Sequence, residues 1–307
     1  MPSAPPPDAS HRRAILLRLA AGLTFAIMAA GVKLASDHGA NVVEIIFYRN
    51  LFSLPLIVGW IAVGPGLAGI RVARPRAHVI RAAIGLTGMV FNFQALRMLP
   101  LAEATVISFS VPFFATALAA IFLAEPVGRH RWAAIAVGLV GVAIVAQPGS
   151  SHIEPLAALV GIVAAFGVAT VTVTLRQLGT TETATATVFW FAIASTLVTG
   201  LVMPWFFAAH DALTWGLLLW VGIAGGAAQL VNTASLRLAP VPVLAPFDYM
   251  QLLWAVTLGW LIWDTRPTAA TWAGAAVIVA SGLYIVHRER RLRRAVSAAP
   301  QSPRPEA

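Results

Sequence analysis

The stretches "NFQALRMLP" at residues 92–100 and "NTASLRLAP" at residues 232–240 are near copies of each other. Each begins with Asn, places Leu-Arg after three intervening residues and ends on Pro after two more. The copies start 140 positions apart in a chain of 307 residues. Repetition at about half the chain length predicts two related structural units. The simpler alternative is a helix-ending turn, Leu-Arg-x-x-Pro, that arose twice by chance.

The composition indicates an integral membrane protein. Hydrophobic residues make up 59% of the chain and charged residues only 11%, and the mean hydropathy is +0.80. Soluble domains carry about 25% charged residues. This chain therefore has too few ionisable groups to cover a surface that faces water.

The basic residues, which give a net charge of +9, occur in clusters that indicate membrane topology. The clusters comprise Arg71, Arg74, Arg76 and Arg81 in one region and Arg288, Arg290, Arg291, Arg293 and Arg294 in another. Positive charge beside membrane helices is retained on the cytoplasmic side. We therefore expect cytoplasmic loops and no nucleic-acid partner. The chain has no cysteine, which excludes disulfides and thiolate chemistry.

Ten apolar runs are long enough to cross a bilayer, which needs about 20 residues per helix. They lie near residues 14–36, 43–63, 78–97, 101–123, 130–147, 155–175, 184–207, 213–236, 241–262 and 269–287. None shows the alternation of a membrane β-strand. The sequence therefore predicts an all-α integral membrane protein with ten transmembrane helices and disordered cytoplasmic ends at 1–13 and 288–307.

The distribution of charge around these spans predicts two inverted repeats. With the N-terminus inside, the outer loops receive only Arg97 and Arg266, both at helix ends. Both termini should therefore be cytoplasmic, in the inner membrane. Five spans per repeat is an odd number, so the repeat at 155–287 should cross the membrane in the opposite sense to the repeat at 14–147. Inverted repeats are typical of secondary transporters.

Four segments carry a resemblance to a known family. They are "FYRNLFSLPL" (47–56), "ATVISFSVPFFATALAAIFLAEP" (104–126), "RWAAIAVGLVGV" (131–142) and "APFDYMQLLWAVTLGW" (245–260). Over about 14–287 the chain resembles the drug/metabolite transporter superfamily, specifically its EamA-domain members. The wording "ATVISFS" is similar to a branch with S-adenosylmethionine and riboflavin carriers, whereas other members export amino acids and drugs. The resemblance implies a transporter with two five-helix repeats.

The chain departs from the family pattern at one place. The second half ends in "LIWDTRP" (261–267), where the family usually has a Gly-Glu pair. This position is expected to face outward.

Polar residues inside the spans are the candidates for a binding site, because such residues are costly in lipid. Asp248 and Gln251 share one helical face, and Asp248 lies roughly 10 Å into its span. Asp248 is therefore a candidate for proton coupling or for contact with a substrate amine. The alternative is an ion pair with Arg237 or another arginine near the inner face. Tyr249 is either an aromatic wall of the site or a packing residue.

Arg49 lies deep in the second span and is expected to clamp a carboxylate. That carboxylate belongs either to the substrate or to Glu44, and the family resemblance implies a structural or gating role as much as a binding one. Lys33, at the end of the first span, is expected to pair with Glu44 across the hairpin. Ser108 occupies the position in the first half that Asp248 occupies in the second, and either lines the site or accompanies a helix kink.

The repeated Asn92 and Asn232, with Gln94 nearby, are candidates for amide groups that line a shared central site. They could instead be hydrogen-bonding pins between helices. Trp190 offers a stacking face for a planar substrate, or packs in the core. The substrate-binding candidates are thus Arg49, Asn92, Gln94, Ser108, Trp190, Asn232, Asp248, Tyr249 and Gln251.

Other classes of membrane protein lack their signals here. The chain contains no H-E-x-x-H or G-x-S-x-G motif for an intramembrane enzyme, no phosphate-binding loop, and no filter or charge ring typical of a channel. We predict a secondary transporter, without metal or cofactor and as a monomer or homodimer. It moves an amino-acid-, nucleoside- or cofactor-like metabolite by alternating access, and drug or amino-acid efflux is the alternative.

Overall fold

The computed structural model describes residues 7–64, 66–125, 127–147, 153–179, 181–239 and 241–298, which form helices and short connections without any strand. The helices are α1 (Pro7–Asp37), α2 (Val42–Val63), α3 (Pro75–Met98), α4 (Leu101–Ser108), α5 (Val111–Phe122), α6 (Arg129–Ala146), α7 (Pro155–Leu178), α8 (Ala184–Val202), α9 (Ala212–Leu238), α10 (Val241–Asp248), α11 (Met250–Trp263) and α12 (Ala269–Ala298). Two short 3-10 helices, Leu67–Ile70 and Met203–Trp205, follow α2 and α8.

The predicted all-helical membrane architecture is confirmed, with a difference in the number of uninterrupted spans. Within the described ranges, nine helical stretches are long and apolar enough to cross a membrane. The predicted span at 241–262 is divided at Tyr249 into α10 and α11, of 8 and 14 residues. Pro246 lies inside α10, and proline removes a backbone donor from the helix ladder.

Helices α1 and α12 extend beyond the bounds that the sequence predicts. Helix α1 begins at Pro7 and α12 continues to Ala298, so residues 7–13 and 288–298 are helical where disorder is predicted. The extension of α12 is rich in arginine, which has high helix propensity, and the extension of α1 begins with Pro7, a residue that the first turn of a helix tolerates. The rest of both predicted disordered ends, 1–6 and 299–307, lies outside the described residues.

Glycines allow helices to pack at short distances. Helices α3 and α7 meet at Gly88 and Gly167, where a Cβ atom on Gly167 would lie 3.0 Å from the Cα atom of Gly88. Helices α6 and α12 meet at Gly141 and Gly274, where a Cβ atom on Gly274 would lie 2.6 Å from the carbonyl oxygen of Gly141. Such small-residue contacts are common between membrane helices, where van der Waals packing drives association.

The expected Lys33–Glu44 pair is wrong. Glu44 closes a capping box with Asn41 at the start of α2, and its other oxygen accepts a hydrogen bond from the backbone N–H of Ala208 at 2.8 Å. His210 Nε2 lies 3.1 Å from the same oxygen. Lys33 Nζ instead donates to two carbonyl groups at the end of α3, each at 3.4 Å. The helix cap and the α8–α9 connection therefore satisfy this carboxylate.

Candidate functional site

A cavity of about 410 Å³ lies between helices of both halves of the chain. Most of its wall is apolar; α3 and α7 contribute the most residues, α1, α2, α4, α8 and α9 contribute fewer, and α5 and α11 contribute one residue each. Its polar side chains are Arg49, Ser53, Arg81, Asn92, Thr105, Ser108, Gln229 and Gln251. A largely apolar pocket with a few convergent polar groups is typical of a small-molecule site.

Four of the predicted site residues line this cavity. Arg49 contributes from α2, Asn92 from α3, Ser108 from the end of α4 and Gln251 from the start of α11. The Ser108 hydroxyl also donates to the carbonyl oxygen of Thr105 at 2.6 Å. The structure therefore brings together side chains that are separated by up to about two hundred residues in the sequence.

Arg49 is buried, with 8% of its surface exposed. Its Nη1 donates to the Asn50 side-chain oxygen at 3.0 Å, and its Nε has no hydrogen-bond partner among the described residues. Glu44, one of the two carboxylates that the sequence left open as a partner, is bound by the Asn41 cap and the α8–α9 connection instead. Glu44 is therefore excluded as the partner of Arg49, and a substrate carboxylate and a structural or gating role remain open.

Asp248 and Asn232 do not line the cavity, because Arg18 on α1 binds them both. Arg18 donates to both carboxylate oxygens of Asp248, with Nη2 at 2.8 Å from Oδ2, and its Nη1 donates to the side-chain oxygen of Asn232. The two-point arginine–carboxylate pair is a strong, oriented contact. The inner-face arginine that the sequence offered as an alternative is therefore Arg18, whereas Arg237 lies over the Trp60 ring at 5.0 Å.

Three further predicted residues also lie outside the cavity wall. Trp190 is 37% exposed, and its indole N–H donates to the carbonyl oxygen of Ile70 at 2.9 Å. The Tyr249 ring packs edge-on against Phe109, with 5.0 Å between the ring centroids. Gln94 is half-buried on α3, away from the cavity wall.

Arg81 is the cavity residue that sequence reasoning missed. The positive-inside count assigned it to a basic loop, but it lies inside α3 with 9% of its surface exposed. The spacing of Arg81, Gly85, Gly88 and Asn92 places all four on one helical face, and all four line the cavity. That periodicity was the signal in the sequence that could have identified it.

No metal cluster is present in the described ranges, since nowhere in them do three or more His, Asp or Glu side chains converge in a way that could hold an ion. The polar groups of the cavity are amides, hydroxyls and two guanidinium groups. These groups bind ligands by hydrogen bonds and charge, and the guanidinium groups favour anions.

Comparison with known proteins identifies similar membrane transporters. The family model described as the EamA-like transporter family matches residues 12–147 and 155–287. The chain is 31% identical to a riboflavin transporter of Rhizobium johnstonii, over 80% of each chain. It is 30% identical to the pseudopaline exporter CntI of Pseudomonas aeruginosa, over 86% of this chain and 93% of the relative.

More distant relatives share the same fold. An S-adenosylmethionine uptake transporter of Rickettsia conorii is 26% identical over 81% of this chain and 84% of the relative. One solved crystal structure superimposes with a TM-score of 0.61 over 90% of this chain and 97% of that chain, at 19% identity. A likeness at that identity is evidence of the fold alone.

Proposed function

The chain belongs to the EamA-like transporter family, and we propose that it works by alternating access between two inverted five-helix repeats. It is a multi-pass membrane transporter of small metabolites, as its relatives' names indicate. The observation that carries the proposal is the central cavity, whose wall combines helices of both halves. Secondary transporters bind their substrates at such repeat interfaces.

The bounds of the helices support the repeat. Helices α4 and α10 span 101–108 and 241–248, and the ends of α3 and α9 and the starts of α6 and α12 are also 140 positions apart. Ala124 and Asp264, again 140 apart, both adopt left-handed backbone, with φ of 50° and 51°. This conformation is rare outside glycine, so its recurrence supports two copies of one unit. Helices α10 and α11 together would form the tenth span.

Contacts between the halves support a two-fold relation. Gly141 approaches Gly274, and the Ser281 hydroxyl donates to the carbonyl oxygen of Ala134. A shift of 140 positions converts one of these contacts into the other. The same shift relates Phe109 to Tyr249, whose rings touch each other. A two-fold axis generates paired contacts of this kind and self-contacts on the axis.

The proposed binding residues are those in the cavity, Arg49, Asn92, Ser108 and Gln251. An amino-acid-, nucleoside- or cofactor-like metabolite fits the combination of guanidinium, amide and hydroxyl groups with an apolar wall. Among the relatives, one is named an exporter and another an uptake transporter. We propose that gradients, rather than the fold, set the direction of transport here as well.

The charge distribution supports an inner-membrane protein with both termini in the cytoplasm. Proton coupling through Asp248 remains a hypothesis, and the contact of Asp248 with Arg18 makes it more specific. Because Arg18 binds the carboxylate, we propose that such coupling would require this ion pair to open. Coupling would then occur during the conformational change.

Reconstitution with an unselected metabolite mixture tests the proposed function. Liposomes containing the protein would be incubated with a cell extract, washed, and analysed by mass spectrometry for retained compounds. We expect a small set of metabolites that are absent from protein-free liposomes, and exchange of each with its unlabelled form added outside. Uptake that grows linearly with concentration, without saturation and without stimulation by substrate on the opposite side, would indicate a pore and contradict alternating access.

A further inference from the structure

The charged side chains of the cavity are all positive within the described part of its wall. Arg49 and Arg81 line it, and no Asp or Glu does so. From this asymmetry we propose that the transported substrate is a small organic anion and that Arg81 binds its carboxylate or phosphate group. The inference rests on the proposed transport function and specifies the substrate class for the same cavity.

Arg81 points toward the middle of its helix rather than back to the membrane surface. It lies six residues after the start of α3, about 9 Å along the helix axis. A long basic side chain at this depth normally extends toward the interface, where water solvates its charge. Instead, Nη1 of Arg81 lies over Gly85, one turn further along α3.

Gly85 is the residue that permits this orientation. A Cβ atom at position 85 would lie 2.1 Å from Arg81 Nη1 and 2.7 Å from the ring of Phe191. Both distances are far shorter than van der Waals contact, so any side chain would displace the guanidinium group. The Phe191 ring covers one face of that group, with 4.5 Å between Arg81 Cζ and the ring centroid. The Arg81 guanidinium group is thus held between α3 and α8, and the N–H groups at its edge are available to a ligand.

The donors of Arg81 lack partners in the described part of the chain. Both Nε and Nη1 are buried without a hydrogen bond. Glu182, the carboxylate that contacts the start of α3, is bound by other groups: it lies beside His78 and accepts hydrogen bonds from the backbone N–H groups of Ala73 and Arg74. A buried guanidinium group without an anion is costly, and a carboxylate or phosphate satisfies its donors in matching geometry.

The surrounding wall defines the rest of the substrate. Phe191, Met89, Val168 and Val188 lie among the apolar residues of the cavity. A compact organic acid with an apolar or planar body would bury that body against these side chains while its acidic group meets Arg81. A free inorganic anion would leave the apolar wall unfilled.

Binding to matched pairs of probes tests this assignment without requiring transport. The pairs are nicotinate with nicotinamide, benzoate with benzamide, and riboflavin 5′-phosphate with riboflavin. The readout is the thermal shift of the purified protein in detergent, since a ligand of the native state stabilises it by mass action. We expect at least one anionic member to raise the melting temperature in a saturable way and its neutral partner to have little effect.

Two variants separate a binding role of Arg81 from a structural one. Arg81→Gln removes the charge, and Gly85→Ala keeps the charge but displaces it. Each should weaken binding of the anionic probe about 10- to 100-fold, as expected for loss of charge-assisted hydrogen bonds. Gly85→Ala should lower thermal stability without ligand only modestly, because the higher helix propensity of alanine partly offsets the contact of its methyl group with the Phe191 ring.

Matched controls for both variants are present on α3 and α2. Arg76→Gln removes an exposed arginine of α3, and Gly59→Ala adds a methyl group on α2 where no atom lies within 4 Å. Both should bind the anionic probe as the native protein does.

Three results would overturn the inference: no saturable shift with any of the acids, equal shifts with acid and amide, or unchanged affinity in folded Arg81→Gln protein. A shift produced by phosphatidylglycerol micelles but by no small acid would also overturn it, by assigning the site to a lipid headgroup. Retention of only neutral metabolites by reconstituted liposomes would refute the anion assignment while leaving the transport function intact.

Discussion

Two equivalent pairs of polar residues have different environments in the two halves of the molecule. Asn92 and Ser108 in the first half line the cavity. Their counterparts 140 positions later, Asn232 and Asp248, are both bound by Arg18. Equivalent sequence positions in a repeat therefore need not have equivalent roles.

The difference originates on a neighbouring helix rather than in the pairs themselves. Arg18 lies on α1, which packs on α9 and α10, just as α7 packs on α3 and α4. The position on α7 that corresponds to Arg18 is the buried Ala158. Where arginine is present, the adjacent amide and carboxylate bind it, and where alanine is present, the adjacent amide and hydroxyl face the cavity.

The largest expected effect concerns the opposed orientation of the two halves. The chain lacks cysteine, so single-cysteine variants report one position each. Arg97→Cys and Arg237→Cys are expected to react with a membrane-impermeant maleimide from opposite sides of the membrane, in an all-or-none manner. Labelling would be measured in intact and in inverted vesicles.

Reaction of both variants from the same side would contradict the inverted repeat and the comparison built on it. An Arg266→Cys variant is a useful reference, because its residue belongs to the same predicted outer surface as Arg97.

The next largest effect is the loss of the Arg18 cluster. Arg18→Ala leaves Asp248 and Asn232 without their shared donor, and we expect a loss of about 1 to 2 kcal/mol, between the values for buried and exposed pairs, because the Asp248 side chain is 37% exposed. The double variant Arg18→Ala/Asp248→Asn should recover part of that stability. Thermal unfolding in detergent measures both.

Arg176→Ala is the matched control, because Arg176 and Glu125 form an exposed pair with 3.5 Å between their charged atoms. Its loss should cost less than about 1 kcal/mol. An Arg18→Ala protein as stable as this control would show that the cluster contributes little, and the contrast between the halves would lose its energetic basis.

Substitutions of Asn92 and Asn232 are expected to have smaller effects, one on substrate binding and the other on stability. Asn92→Ala is expected to weaken substrate affinity roughly fivefold with little change in stability, since one hydrogen bond is worth about 1 kcal/mol. Asn232→Ala is expected to lower thermal stability with little change in affinity. Parallel affinity and melting measurements on the two variants test the pair, and identical behaviour would contradict the assigned difference.

The sequence predicts well those features that depend on the length of an apolar segment or on the spacing of residues within it. Helix bounds such as those of α3 and α9 follow from about 20 apolar residues and a terminal Leu-Arg-x-x-Pro, and Arg49 follows from its depth in an apolar run. The family resemblance was confirmed by the match over 12–147 and 155–287.

The positions that sequence predicts poorly depend on neighbours in space. Arg81 was counted as a loop residue because its orientation is set by Gly85 and Phe191, which a charge count does not include. Arg18 was overlooked as the partner of Asp248 because the two residues are separated by 230 positions. The division of α10 from α11 at Tyr249 was likewise missed.

The loops next to α2 and α8 are stabilised in the same manner in both halves, unlike the polar pairs described above. Glu44, near the start of α2, accepts a hydrogen bond from the backbone N–H of Ala208 in the loop before α9 and lies beside His210. Glu182, just before α8, accepts one from the backbone N–H of Ala73 in the loop before α3 and lies beside His78. Burial alone would raise the pKa of Glu182, but the hydrogen bonds from Arg74 and Ala73, together with His78, hold that pKa below its ordinary value of 4.5.

The smallest expected effect follows from this lowered pKa. A carboxylate with a lowered folded-state pKa stabilises the protein fully above its unfolded value and loses that contribution as the pH falls through the folded value. The free energy of unfolding, followed through the melting temperature, should therefore decline as the pH falls below about 4.5. Glu182→Gln should reduce the acid-dependent part, with Glu154→Gln as control.

The close contact between α6 and α12 suggests how the conformational change of the transporter could be measured. Neither helix contributes to the cavity wall, and their backbones meet at Gly141 and Gly274 more closely than any larger residue would allow. If the other helices move so that the cavity opens on alternate sides of the membrane, we expect the α6–α12 pair to stay in place. Spin labels on the lipid-facing side of α6 or α12 would then provide a fixed reference for measuring distances to labels on the other helices.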